Sequence, residues 1–169
     1  MNFKRRKAEF VLAVMMASTA MASVASGQDK GWFNDHDKSI VGAWRTVVTI
    51  RNCQTNAPMA TFKGQFTFNV GGTMSEYGIG PGQTPALRSP GNGVWEREHG
   101  WQNYSFAFTF NRYDPTGAMI GSQSVKATAH LAASGDEFTT DSAIQILDAN
   151  DNVVMTACGT TAATRFELK

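Results

Sequence analysis

From Ile40 onward the hydrophobic positions recur with a period of two. Trp44, Thr46, Val48 and Ile50 fall on one face of an extended segment, and Arg45, Val47, Thr49 and Arg51 on the other. The next segment alternates more cleanly: Phe62, Gly64, Phe66, Phe68 and Val70 against Thr61, Lys63, Gln65, Thr67 and Asn69. One buried face and one wet face is the pattern of an antiparallel sheet. The same reading continues through a short strand at Thr73–Tyr77, then Gly93–Glu98, Tyr104–Asn111, Met119–Leu131, Glu137–Ile146 and Val153–Phe166. Gly71-Gly72, His99–Gln102, Asp114-Pro115-Thr116-Gly117, Ala132–Asp136 and Asp148–Asn152 supply turn chemistry between them. One connection is long. Residues 78–92 carry three prolines and four glycines, which exclude a regular strand or helix there.

Eight strands with one apolar face, no helical period and mostly short turns predict an all-β fold, an eight-stranded antiparallel up-and-down β-barrel. Closure removes both exposed edges. Up-and-down order sorts the connections. Residues 52–58, 78–92, 113–118 and 148–152 share one end. The termini and the other turns share the opposite end.

The first 27 residues break this pattern. Lys4-Arg5-Arg6-Lys7 is followed by an apolar run from Phe10 to Ala17 and then by small residues, with Ala20-Met21-Ala22 and Ser23-Val24-Ala25 as candidate cleavage triplets. This is the layout of a secretory signal peptide. The expected organisation is a signal peptide at 1–27, a flexible N-terminal arm at 28–38 and a barrel at 39–169, with a periplasmic or secreted destination. The formal charge of +1 belongs to the leader. Residues 28–169 hold 11 Lys+Arg and 13 Asp+Glu, a net of −2. No basic stripe remains, so neither nucleic acid nor an anionic membrane is an expected partner.

Cys53 and Cys158 are the two cysteines. In an exported chain such a pair reads as a disulfide, with free thiols the alternative. If the two face each other directly across the first and last strands, Thr46 lies opposite Arg165 and Trp44 opposite Glu167. That register brings the Arg165 guanidinium over the Trp44 indole. Gly42-x-Trp44 on the first strand with an Arg on the last resembles the lipocalins and the wider calycin group. The resemblance implies a structural role for Gly42, Trp44 and Arg165 at the closed end of the barrel, and a small ligand in its interior. Two features separate the chain from a typical lipocalin and bring it nearer the avidin-like barrels. The first connection is short, and no C-terminal helix follows the last strand. No residue set for biotin is present.

The inward face of the open half is expected to include Ile50, Phe62, Trp95, Phe110, Met119 and Ile146, with Arg112 and Tyr77 at the rim. Such a lining reads as a site for a small apolar or amphipathic molecule. Small residues on the sixth and eighth strands (Gly121, Ala127, Ala129, Gly159, Ala163) leave room opposite the aromatic strands. A fully packed core, serving a structural or protein-binding barrel, is the competing reading. A barrel enzyme of the isomerase or cyclase type, with Arg112, Tyr77 or Glu76 as its polar groups, is another. Glu96, Glu98 and His99 form a cluster that alternation turns to solvent. Asp148, Asn150 and Asn152 lack the glycine and distal glutamate of a calcium loop and read as a hairpin turn. No nucleophile elbow, zinc-helix or phosphate-loop motif occurs, and neither a cofactor nor a metal is called for.

Overall fold

The computed structural model describes residues 38–168, so the leader and all but the last residue of the N-terminal arm lie outside the described residues. Eight strands follow in order: β1 (Gly42–Arg51), β2 (Pro58–Phe68), β3 (Thr73–Gly78), β4 (Gly91–Arg97), β5 (Asn103–Tyr113), β6 (Met119–Leu131), β7 (Glu137–Leu147) and β8 (Val153–Arg165). Each pairs antiparallel with its neighbour in sequence, and β1 pairs with β8, so the sheet is a closed barrel. Among the described residues the only helical element is one 3-10 turn, Pro85–Leu87, inside the long connection. Val70 departs from the alternation. The second strand stops at Phe68, and Val70 is 72% exposed in the turn that follows.

Alternation fills the closed half of the barrel with rings. Phe66, Phe68, Phe106 and Phe138 lie within 6.4 Å of one another, centroid to centroid, in five of their six pairings, mostly edge to face. Trp44 meets Phe138 at 4.7 Å. Ile40, Leu131 and Tyr104 complete this floor and are essentially inaccessible to solvent. Each ring buried in this way removes a large apolar surface from water, and edge-to-face contacts add about 0.5–1.5 kcal/mol apiece.

The barrel closes with Trp44 directly opposite Arg165 and Arg51 opposite Cys158. This corrects the register expected from a face-to-face cysteine pair, which is two residues off. Cys53 lies beyond the end of β1, where the chain has already left the ladder and begun the turn at 52–57. The Cys53–Cys158 disulfide therefore runs diagonally, with its Cα atoms 5.1 Å apart. It sits outside the barrel wall and ties the first connection to β8.

The true register puts Arg165 across from the indole. Its guanidinium carbon lies 4.2 Å from the ring centroid. The same group donates to the carbonyls of Ser39 (2.6 Å), Val41 (2.7 Å) and Gly135 (2.7 and 3.0 Å). The indole Nε1 donates to the Ile40 carbonyl at 2.8 Å. The chain entering β1 is thus stapled across the barrel base. Gly42 has φ +130°, and a Cβ there would stand 2.8 Å from Arg165 Nη1. Only glycine suits both the backbone conformation and the space.

Two outcomes follow for stability. Gly42→Ala should destabilise the protein by about 2 kcal/mol, read as a lower denaturant midpoint at unchanged slope. Reduction of the disulfide should cost about 4–5 kcal/mol, because it releases a loop spanning 105 positions in the unfolded chain. A parallel denaturation curve in reductant measures it.

Candidate functional site

The open half of the barrel is not filled. A cavity of about 240 Å³ lies above the ring floor. Its walls are mainly apolar: Val48 and Ile50 from β1, Phe62 from β2, Phe108 and Phe110 from β5, Ile144 and Ile146 from β7. Small residues at Ala127 on β6 and Ala157 on β8 leave the space. The long connection covers the mouth. Gly80, Pro81 and Gln83 line the cavity from above, held in a tight turn by Gln83 N–H to Gly80 O (3.1 Å) and Gly80 N–H to the Gln83 side chain (3.2 Å). Met59 and Met155 stand at the rim, both more than half exposed.

Of the eight residues expected to line the pocket, the structure brings four together there: Ile50, Phe62, Phe110 and Ile146. The other four are corrected. Trp95 points inward but at the opposite end, because β4 runs from the open end toward the closed one. Its indole donates to the Asn69 carbonyl at 3.0 Å and packs on Phe68 and Tyr104. Tyr77 lies on the outer face of β3, 39% exposed, since Met74, Glu76 and Gly78 take the inward positions. Met119 begins β6 at the open end, where a bulge at Arg112/Tyr113 shifts the register and pairs it with Tyr113, and it is 51% exposed. Arg112 is half-buried at the end of β5 and does not reach the cavity.

The guanidinium that does enter the barrel belongs to Arg88, in the long connection. Its side chain is 4% exposed and forms a two-pronged ion pair with Glu76, which is 5% exposed. Arg88 Nη2 donates to Glu76 Oε2, and Nη1 donates to Oε1 at 3.3 Å and to the Gly78 carbonyl at 2.6 Å. The guanidinium also stacks on Phe110, 3.5 Å from the ring centroid. Gly91, the cross-strand partner of Glu76, makes room for the carboxylate; a Cβ there would meet Oε2 at 2.7 Å. The backbone beside Arg88 is fixed as well. Ser89 N–H donates to Asn111 O at 3.0 Å, Asn111 N–H donates to Ser89 Oγ at 3.0 Å, and Arg88 bridges to Arg112 across the backbone.

Glu76 was legible as a polar group near the pocket. Arg88 is not legible in this way, because nothing in a Gly/Pro-rich stretch distinguishes an inserted arginine from a solvated one. The available clue is indirect. Alternation in β3 puts Glu76 inside, and a buried carboxylate needs a partner.

Burial pushes the Glu76 carboxyl above its ordinary value of 4.5, and the Arg88 charge and hydrogen bonds pull it partly back. A carboxyl raised in the folded state binds its proton more tightly folded than unfolded. Its contribution to stability is therefore full below the ordinary value and falls as pH rises through the raised one.

Elsewhere, the candidate polar residues build local structure or face solvent. The Asp148 carboxylate accepts the N–H groups of Asn150 (2.8 Å) and Asn152 (2.9 Å) and so builds the hairpin turn. Glu96, Glu98 and His99 are exposed. A larger depression of about 780 Å³ runs over the outer face of β4–β8 among Glu96, Ser105, Lys126, Thr128 and Asp141. It is a solvent-open hollow of the twisted sheet and holds no buried polar group. No α-helix among the described residues is long and apolar enough to cross a membrane.

Comparison of the chain with protein-family models and with curated proteins returns no match.

Arg88→Met leaves Glu76 buried without a counter-charge. It should cost about 3–5 kcal/mol at neutral pH, with a smaller loss at acidic pH, where the carboxyl is protonated. Denaturant titrations at the two pH values check it. The double variant Glu76→Gln/Arg88→Met should lie closer to wild type than Arg88→Met alone.

Proposed function

We propose that this is an exported, lipocalin-like barrel that binds a small apolar or amphipathic molecule in its open half. One observation carries the reading: the mainly apolar cavity between Ile50, Phe62, Phe110 and Ile146, covered by the long connection. A barrel selected only for stability gains by filling that space, because interior voids forfeit contacts. Here the closed half is packed with buried rings while the open half keeps Ala127 and Ala157 beside Phe62 and Phe110. Further support comes from the rim. Met59, Met119, Ile120, Val153, Val154 and Met155 are all exposed, and all begin strands at the open end. An apolar collar suits the passage of an apolar molecule. The disulfide and the leader-like first 27 residues support an oxidising destination, periplasmic or secreted.

A second reading is favoured by Glu76. A buried carboxyl with a raised pKa on a cavity wall is the profile of a proton-transfer group, as an isomerase or cyclase requires. Against it, both carboxylate oxygens are engaged by Arg88.

Native mass spectrometry of the purified mature chain should show a bound small molecule, or saturable uptake of an apolar fluorescent probe. Ala157→Phe, which fills the cavity, should abolish uptake, and Val94→Ala on the outer face should leave it unchanged. Uptake surviving Ala157→Phe contradicts the reading.

A further inference from the structure

The cavity is mainly apolar, and one of its polar groups is a buried hydroxyl that the described residues leave unpaired. Thr140, on β7, is 5% exposed and lines the cavity, and its Oγ1 has no hydrogen-bond partner among the described residues. It stands at the floor, just above the ring layer, opposite Thr161 of β8 in the ladder, and Thr161 also lines the cavity. A neighbouring hydroxyl shows the contrast: Ser142 Oγ is spent on the Gly159 carbonyl at 3.0 Å. A buried hydroxyl left without a partner is destabilising, and natural structures seldom keep one. The charges at the mouth point the same way. Among the described residues, Glu76 and Arg88 are the only charged ones lining the cavity, and each is neutralised by the other. A charged ligand would be desolvated with no free counter-ion to meet it.

We infer that the ligand is a neutral, mainly apolar molecule whose single polar group, a hydroxyl or carbonyl, enters first and hydrogen-bonds Thr140 Oγ1 at the cavity floor. Its apolar body then lies against Phe62, Phe110 and Ile146 beneath the roof. This assignment rests on the pocket reading above and specifies the head group and its direction. Thr140 is a binding residue in this arrangement, and the ion pair selects against charge.

Three probes sharing one skeleton test it on the mature protein: naphthalene, 1-naphthol and 1-naphthoate, titrated by fluorescence or calorimetry. The expected order is 1-naphthol tightest, by roughly fivefold over naphthalene, the worth of one net hydrogen bond. Naphthoate should bind more weakly than either. Thr140→Val should erase the naphthol advantage while keeping naphthalene binding, and should raise the thermal midpoint of the unliganded protein. Thr140→Ser should retain the advantage. Equal binding of naphthol and naphthalene to wild type overturns the head-group assignment and leaves the pocket reading standing. An advantage that survives Thr140→Val overturns it likewise, and naphthoate binding tightest overturns the neutrality of the ligand. Binding of none of the three overturns the pocket reading and this assignment together.

Discussion

The pairing of β1 with β8, locked by Arg165 over Trp44, is the constraint on which the rest of the barrel depends. An eight-stranded sheet that fails to close keeps two edges of unsatisfied backbone groups. Closure also has to hold a chain that enters from outside. Arg165 does both jobs because a guanidinium offers donors in a fixed planar fork and a face that stacks on an indole. It stacks on Trp44 and donates to three backbone carbonyls, two of them in the segment that leads into β1. Gly42 follows from this geometry, since the arginine occupies the space a side chain would need. The base of the barrel is thereby solid, and any room for another molecule is displaced to the far end.

The far end is held by a different device. The long connection contains no strand, yet it is not loose across the mouth. It is anchored by one inserted side chain, Arg88, which pairs with Glu76 inside the wall. A buried ion pair is seldom a net source of stability, because desolvating both charges offsets their attraction. What it supplies here is position. Two-pronged pairing, stacking on Phe110 and the bond to the Gly78 carbonyl fix one place for the guanidinium. The roof over the cavity inherits that place.

The architecture was legible in the sequence because alternation, turn residues and a two-residue period act locally. The sixth strand was bounded at both ends by its turns, Asp114–Gly117 and Ala132–Asp136. The pocket was half legible. Ile50, Phe62, Phe110 and Ile146 follow from alternation and from the end at which each strand segment lies. Trp95 was misplaced along the barrel axis rather than across its wall: period two says which face a residue takes, but not how far along the axis it sits. Tyr77 was misassigned because its strand is too short for its phase to stand out. The register between β1 and β8 was two residues off, since a disulfide at a strand end constrains its partners only to within a diagonal. Arg88 and the orphaned hydroxyl of Thr140 were beyond reach, because both are defined by what three-dimensional packing does or does not place beside them.

A filled base and a hollow, apolar, roofed top divide one barrel into a structural half and a receptive half. That division is the central claim, and a crystal of the mature protein under xenon pressure tests it most directly, because apolar cavities take up the gas and packed cores do not. The account predicts xenon density between Ile50, Phe62, Phe110 and Ile146, and none among Trp44, Phe68 and Phe138. An empty upper half whose side chains have closed the space, or xenon only outside the barrel wall, would contradict it.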